Sequence, residues 1–415
     1  MKFKYLILLF SLPLLVSCKS SFMAIERHTF DNSDEAFMCY LKSQNIAITD
    51  SNSVDILNGA HAKFERMLQD INEAKHHIHL EYFNFRNDSI NAVVISALAK
   101  KAAEGVEVRA LFDAFGNISN NKPLKKKHLE EIRKQGIEIV KFDPFRFPWI
   151  NHNHRDHRKI VVIDGKIGYI GGINVADYYL EGLETIGKWR DMHSRVEGEA
   201  VAKLQNVFLA MWNSETGENV GGAEYYPQPS RNGSSLVAVV DRWPKRNAEQ
   251  MRRAYANAIH AAKDSVQIIS PYFIPTYIVR RAIKRALKDS VDVEIMISSK
   301  GDIPFTPDAA MYTAYKLMKK GAKVYLYNGG FNHSKVMSVD GKYCTIGSTN
   351  LNSRSLRFDY ECNLFIFDDE TTDSMLDCYK KDKEESFLLT REYWKSRPLW
   401  NRFCGWLGYI LTPIM

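Results

Sequence analysis

Not one Cys-x-x-Cys pair occurs in the 415 residues, and cysteine is scarce at six, so neither a zinc knuckle nor a disulfide framework is indicated. With Cys18 set aside, Cys39, Cys344, Cys362, Cys378 and Cys404 remain, an odd number; Cys344 and Cys362 fall in predicted strands and read as small core residues. No solenoid-scale repeat is present, which removes the repeat arrays. The apolar run Tyr5 to Val16 is too short for a comfortable spanning helix. Nor is the charge extreme. A net +7 and a pI near 8.9 suit an anionic partner (nucleic acid, anionic lipid or a phosphorylated substrate) as readily as an ordinary slightly basic protein. What is present, 45% hydrophobic and 25% charged residues, is the composition of a globular protein with two or three domains and a large core.

The N-terminus reads as a targeting signal: a basic start, Met1-Lys2-Phe3-Lys4, then the apolar run, then Leu15-Val16-Ser17-Cys18. That pattern fits secretion, and its end resembles the lipobox of bacterial lipoproteins, in which Cys18 would carry the lipid. The expectation is an exported protein tethered to the cell membrane by lipidated Cys18, with no spanning helix.

Beyond a polar linker with a short helix around Glu35 to Lys42, helical spacing runs from Asp55 to His76. The pattern then alternates: strand 78–85, helix 89–104, strand 106–112, a helix around Leu129, strand 137–142. The same order returns as strand 265–270, helix 277–287, strand 291–298, a helix through 312–319 and strand 322–327. Glu104-Gly105-Val106-Glu107-Val108 and Lys134-Gln135-Gly136 find counterparts at one constant offset in Asp289-Ser290-Val291-Asp292-Val293 and Lys319-Lys320-Gly321. This is a domain-scale duplication. Alternating strands and helices predict an α/β fold with mixed, mainly parallel sheets. The first half carries an aromatic and basic insertion, Asp143 to Ile150. The C-terminus, from Pro398, is apolar and aromatic; packing on the domain and lying in a bilayer interface are both open to it.

The chemistry sits in a repeated motif. His157-Arg158-Lys159 and His333-Ser334-Lys335 each open an apolar strand that closes on Asp164 or Asp340. One such match arises by chance in roughly one chain in twenty; two in matching surroundings do not. His and Lys two apart on a strand share a face. Two such pairs brought together give one neutral imidazole to attack phosphorus, a protonated one to serve the leaving alkoxide, and two ammonium groups for the non-bridging oxygens. No metal or other cofactor is needed. Each motif is followed by a second strand and a small-residue turn ending in Asn, Gly171-Gly172-Ile173-Asn174 and Gly347-Ser348-Thr349-Asn350, placed to hold phosphate oxygens. Asp191 and Glu361 come next and suit the far nitrogen of each His, fixing its tautomer. Asp164 and Asp340, counted with the catalytic motif, lie at the far strand ends and read as supporting residues.

These motifs, together with Trp189-Arg190-Asp191-Met192-His193, Ser270-Pro271-Tyr272-Phe273-Ile274-Pro275 and Asn350-Leu351-Asn352-Ser353-Arg354-Ser355, resemble the phospholipase D superfamily, and most closely its bacterial cardiolipin synthases, over about residues 55–415. The resemblance implies two tandem phospholipase D-like α-β-α domains related by a pseudo-twofold axis. It also implies ping-pong transfer through a phosphatidyl-histidine: one phosphatidylglycerol loses glycerol and a second accepts the phosphatidyl group. His157 is then the nucleophile and His333 the acid. The expected layout is a lipobox signal over 1–18, a linker over 19–54, domains over 55–215 and 236–395 joined by a linker over 216–235, and a tail over 396–415. Two departures stand out: a lipobox-like signal where the family usually has two spanning helices, and Gly172 where the second half has Ser348.

Rival readings are weaker. His152-Asn153-His154-Arg155-Asp156-His157 also fits His-x-His-x-Asp-His, with His193 or His260 as a further zinc ligand, but leaves the second half unexplained. A nuclease or lipid hydrolase would use the same site. The run Lys125-Lys126-Lys127 is more simply a solvated face than a nucleic-acid contact. The expected partners are a phospholipid and a membrane surface, with no nucleic acid; oligomeric state is left open. A non-enzymatic lipid-binding scaffold is disfavoured because neither motif lacks a member.

Overall fold

The computed structural model describes residues 29–119, 121–143, 153–229, 233–303 and 305–412. Cys18 and residues 144–150 of the insertion lie outside them. In chain order the strands are β1 (Ile48–Asn58), β2 (His77–Tyr82), β3 (Glu107–Asp113), β4 (Ile137–Phe142), β5 (Lys159–Ile163), β6 (Ile167–Gly171), β7 (Lys188–Arg190), β8 (Met192–Glu197) and β9 (Ser235–Arg242). The second half adds β10 (Ser265–Ile269), β11 (Asp292–Ser298), β12 (Lys323–Tyr327), β13 (Gly330–Asn332), β14 (Val336–Val339), β15 (Tyr343–Gly347), β16 (Glu361–Phe367) and β17 (Ser386–Leu388). The helices are α1 (Ser33–Ser43), α2 (Ala60–Glu73), α3 (Ser89–Ala103), α4 (Ala114–Ile118), α5 (Lys126–Lys134), α6 (Tyr178–Glu181) and α7 (Ala200–Thr216). Then follow α8 (Gln250–Ala261), α9 (Tyr277–Lys288), α10 (Thr306–Met318), α11 (Ser353–Arg357), α12 (Asp369–Glu384), α13 (Arg391–Ser396) and α14 (Leu399–Ile410).

Fifteen strands form one sheet in the order β17-β12-β11-β10-β14-β15-β16-β9-β1-β8-β6-β5-β2-β3-β4. Apart from the edge strand β17, this order reads the same from either end about the antiparallel β1–β9 pair, so the duplication in sequence is a twofold in space. The fold is mixed α/β in two like halves, as expected, but the expectation that parallel pairing dominates fails. Parallel pairing is confined to β2–β3–β4 and β10–β11–β12; every other neighbour pair in this sheet is antiparallel. The reason lies in the connections. Helical crossovers join only those outer strands, whereas β5–β6 and β14–β15 are hairpins, which can only be antiparallel.

Residues along β5 alternate between two cores. Val161 and Ile163 meet α2 and α3 in the core of the first half, while Ile160 and Val162 join a core shared with β14, β15 and β16 of the second. A strand buried on both faces reads as a continuous apolar run, which is why the motif strands show no alternation. The shared core also takes Val201 and Leu204 of α7 and Met375 and Tyr379 of α12, so the two halves are packed face to face. Beneath the site, fully buried Arg158 ties them further: it bonds Glu81 at 3.2 Å, Asp241 at 3.1 Å and the Arg242 carbonyl at 3.3 Å.

The helix expected from Asp55 starts only after Gly59, whose φ is +98°. Residues 48–58 are instead the central strand β1, paired to β8 and β9 at once. Ile56 and Leu57 fit either period, and no sequence signal short of Gly59 separates them. The tail packs through α14 against α10, with Cys404, Gly405 and Gly408 buried at the contact.

Asp164 and Asp340 both sit at φ +53° and do the same work in each half. Asp164 accepts the backbone N–H groups of Lys75, His76 and His77 at 2.8, 2.7 and 3.0 Å. Asp340 accepts those of Lys263, Asp264 and Ser265 at 2.8, 2.8 and 2.7 Å. Each carboxylate thereby satisfies the donors at the start of the neighbouring strand. Asp164→Ala and Asp340→Ala should each cost about 1–3 kcal/mol, with nearly additive losses in the double variant because the sites are far apart. Melting temperatures check this, and an unshifted Asp340→Ala would refute the bracing role.

Candidate active site

Two short cross-half pairings set the geometry. Strand β13 runs parallel to β7, with Asn332 opposite Arg190, and a parallel bridge joins Asp156 to Tyr360. In each pairing the residue before a motif His lies against the residue before a carboxylate of the other half. The backbone follows suit: His333 N donates to the Arg190 carbonyl at 2.6 Å and His157 N to the Tyr360 carbonyl at 3.1 Å. The side chains therefore pair crosswise. His157 Nδ1 meets Glu361 at 3.0 Å and His333 Nδ1 meets Asp191 at 2.7 Å. With Nδ1–H directed to a carboxylate, each ring keeps Nε2 for the substrate.

Further twofold-related contacts support the pairings. Asp113, at the end of β3, accepts from Asp156 N at 2.9 Å, and Ser298, at the end of β11, accepts from Asn332 N at 2.8 Å. Asn332 also donates to Asp382 at 2.9 Å, and Asp382 binds Arg190 at 2.8 Å.

Both histidines open on one cleft of about 820 Å³ that also takes in Asn174, Asn350, Arg155 and Arg354. Asn174 is held by Tyr179 Oη at 2.9 Å. Asn350 is buried on the cleft wall and its side-chain oxygen has no partner. The two turns differ for a steric reason. A Cβ at position 172 would lie 2.3 Å from Asp191 Oδ1, so glycine is required there. In the second half Ser348 occupies that place and its hydroxyl donates to Glu361. Lys159 donates to the His157 carbonyl at 2.6 Å. Lys335 donates to the His333 carbonyl and stands 3.9 Å from Asp191.

Burial governs the ionisation. It lowers both imidazoles well below their usual range, helped by Lys159 and Lys335, so both rings are neutral near pH 7. It pushes Lys159 down to about 7 and Lys335 to about 8, against the pull of Glu361 and Asp191. It lifts Asp191 and Glu361 to about 7, although the lysines oppose the rise. The empty site is therefore poised close to charge balance, and a phosphodiester anion would draw protons onto its cations.

Asp164 and Asp340 are not brought into the cleft. His154 Nδ1 meets the Phe358 carbonyl at 2.6 Å, turned from His157, and among the described residues no three His, Cys, Asp or Glu converge as metal ligands; His152 lies outside those residues. Sequence reasoning did not anticipate the crosswise pairing. It also passed over the aromatic walls: Trp189, Tyr179 and Tyr272 stand 5.5, 5.9 and 6.1 Å from His333, and Phe83 stands 5.0 Å from His157. Trp189 and Tyr272 lay in quoted motifs without a role.

A duplicated α/β fold with two His-Lys pairs at one cleft is the arrangement of a phospholipase D-like protein. The chain belongs to the family described as cardiolipin synthase, PLD-like domain, which matches residues 67–212 and 255–383. It is 36% identical over 380 residues to cardiolipin synthase 1 of Staphylococcus epidermidis, covering 90% of this chain and 76% of that one. To the major cardiolipin synthase ClsA of Bacillus subtilis it is 36% identical over 393 residues, 94% of this chain and 80% of the relative. In fold it is similar to phosphatidylserine synthase of Haemophilus influenzae, with a TM-score of 0.71 at 14% identity over 92% of this chain and 100% of that one.

The lysines give a stability test. Lys159 titrates near 7 when folded, against 10.5 unexposed to the fold, so the folded state binds fewer protons between those values. Its burial penalty is complete below about pH 7 and fades as pH rises toward 10.5. Lys159→Met should melt above wild type at pH 7, with the gap closing by about pH 10. A variant melting below wild type at pH 7 would mean that the Glu361 attraction outweighs burial.

Proposed function

We propose that the protein is a cardiolipin synthase, a phosphatidyltransferase that moves a phosphatidyl group between two phosphatidylglycerol molecules. The observation carrying this reading is the crosswise His–carboxylate pairing on one aromatic-walled cleft, in a chain whose relatives bear that name over most of their length. With the phosphodiester anion bound, His333 takes up a second proton at Nε2; His157 Nε2 then attacks phosphorus, the P–O bond to glycerol breaks, and that proton goes to the departing alkoxide. In the return step His333 takes the proton from the acceptor hydroxyl, the P–N bond to His157 breaks, and cardiolipin leaves. Lys159 and Lys335, with the amides of Asn174 and Asn350, face the non-bridging oxygens. Asp191 and Glu361 hold the rings, Ser348 orients Glu361, and Asp164 and Asp340 brace the strands. His157 is the nucleophile because its side chain is the more open, 14% exposed against 7% for His333. No metal or cofactor takes part in this scheme. The N-terminal signal and lipidated Cys18 would hold the enzyme on the outer face of the cell membrane.

Labelled phosphatidylglycerol vesicles test the scheme. Cardiolipin with free glycerol is the expected product; phosphatidic acid alone would mean that water is the acceptor and the protein a hydrolase. His157→Ala and His333→Ala should each lower turnover by about 10³-fold or more. Only His333→Ala should retain an acid-labile label on the protein, and wild-type turnover in either folded variant would sink the mechanism.

A further inference from the structure

Helix α14 is turned the wrong way round for a helix stabilised by protein alone. An amphipathic helix ordinarily buries its large apolar residues. Here the contact with α10 is made by small and polar residues and one aromatic pair, Tyr409 with Tyr312 at 5.4 Å. Gly405 lies so close that a Cβ would stand 2.5 Å from the Asp308 carbonyl, and Asn401 donates to Asp308 at 3.2 and 3.1 Å. Arg397, just before the helix, pairs with the same Asp308. The large side chains point outward: Leu399 is 77% and Trp400 67% exposed, and Phe403, Trp406, Leu407 and Ile410 continue the patch. Contiguous exposure on this scale marks an interaction surface.

We propose that α14 and the lips of the cleft form one docking face that seats the protein on a bilayer containing anionic phospholipid. This rests on the lipid reading of the active site and adds how that site meets its substrate. The patch is continuous with the cleft. Helix α10, on which α14 lies, begins at Thr306 on the cleft wall, and Ile303 and Phe305 are exposed beside it. Phe305 holds φ +64°, a conformation costly for a bulky residue, with its ring in solvent. Across the cleft, Phe115 and Ile118 of α4 are likewise exposed.

Charge completes the match. Helix α9, fastened to α14 by the Arg280 guanidinium 5.0 Å over the Tyr409 ring, carries Arg281, Lys284, Arg285 and Lys288 on its exposed side, with one acid, Asp289, just past its end and 3.8 Å from Arg285. Apolar and aromatic side chains flanked by cations are what an anionic lipid surface binds. Among the described residues no helix is long and apolar enough to cross a membrane, so α14 lies along the surface.

The test uses the full chain with phosphatidylglycerol vesicles whose acyl chains carry bromine, which quenches tryptophan at the membrane. Wild type should be quenched, and Trp400→Phe/Trp406→Phe, which keeps the surface apolar, should lose about half or more of that quenching. Only the α14 positions enter this difference, so an N-terminal anchor does not mask it. Leu399→Gln/Phe403→Gln/Leu407→Gln should lower turnover on vesicles about tenfold or more yet leave detergent-dispersed phosphatidylglycerol within about twofold of wild type. The proposal is overturned by quenching that the Phe substitutions leave unchanged. It is equally overturned by equal losses in vesicles and detergent, or by a dimer that the Gln substitutions dissociate without any quenching. Quenching at α14 with no phosphatidylglycerol turnover in either form would uphold the docking face and refute the proposed activity instead.

Discussion

The site exists only because the two halves exchange carboxylates. Neither His can be oriented within its own half: the acid that holds His157 lies on β16 and the one that holds His333 follows β7. The short parallel contacts of Asn332 with Arg190 and Asp156 with Tyr360 therefore do more than close a seam. A shift of one residue in either would turn the carboxylate to the other side of its strand and leave an imidazole without its partner. The shared core and the Arg158 network lie directly behind these contacts. Packing the halves and building the site are thus one event.

That dependence explains a costly choice. Four basic side chains and two acids are buried together, and burial opposes the charged form of every one of them. Such a cluster weakens the fold unless each member is paired. Crosswise pairing supplies partners across the interface where the chemistry needs them and leaves Nε2 of each ring for an anion, while the lysine ammonium groups rest on the His157 and His333 carbonyls. A bound phosphodiester anion then favours the charged forms of the lysines and imidazoles that burial disfavours.

The outer layers of the fold were legible because they are local. The alternation of strands 77–82, 107–113 and 137–142 with helices shows in spacing alone, and its recurrence exposed the duplication. The inner strands were not. β1 is polar on one side and short of apolar residues, and its pairing with both β8 and β9 depends on contacts far away in sequence. The same limit applied to the site. His157, Lys159, His333, Lys335, Asn174, Asn350, Asp191 and Glu361 could all be named from repeated motifs, since each motif carries its own copy. Which acid meets which His could not, because a repeat shows equivalence and not contact. Asp164 and Asp340 could be placed outside the chemistry from their position in the motif alone. They were read as supporting residues at the far strand ends, and there each accepts three backbone N–H groups of a neighbouring strand.

One chemical break in the symmetry follows from side-chain length. Asp191 is a methylene shorter than Glu361, so its carboxylate lies against the backbone at position 172 and leaves room for nothing beyond glycine. Glu361 reaches farther, and the space behind it is filled by the Ser348 hydroxyl, which donates to its second oxygen. Glu361 thus has one oxygen on His157 and one on Ser348, whereas Asp191 shares an oxygen between His333 and the nearby Lys335. A carboxylate already engaged by a hydroxyl is a weaker proton trap, which suits a partner that must keep its imidazole neutral and nucleophilic. Lys335, beside Asp191, disfavours an imidazolium at His333 as Lys159 does at His157, so the lysines do not separate the two rings. Within the proposed transfer, the Ser348 hydroxyl on Glu361 is the feature that favours His157 as the attacking group. In the proposed transfer both half-reactions involve a glycerol hydroxyl, so one proton carrier serves departure and arrival alike.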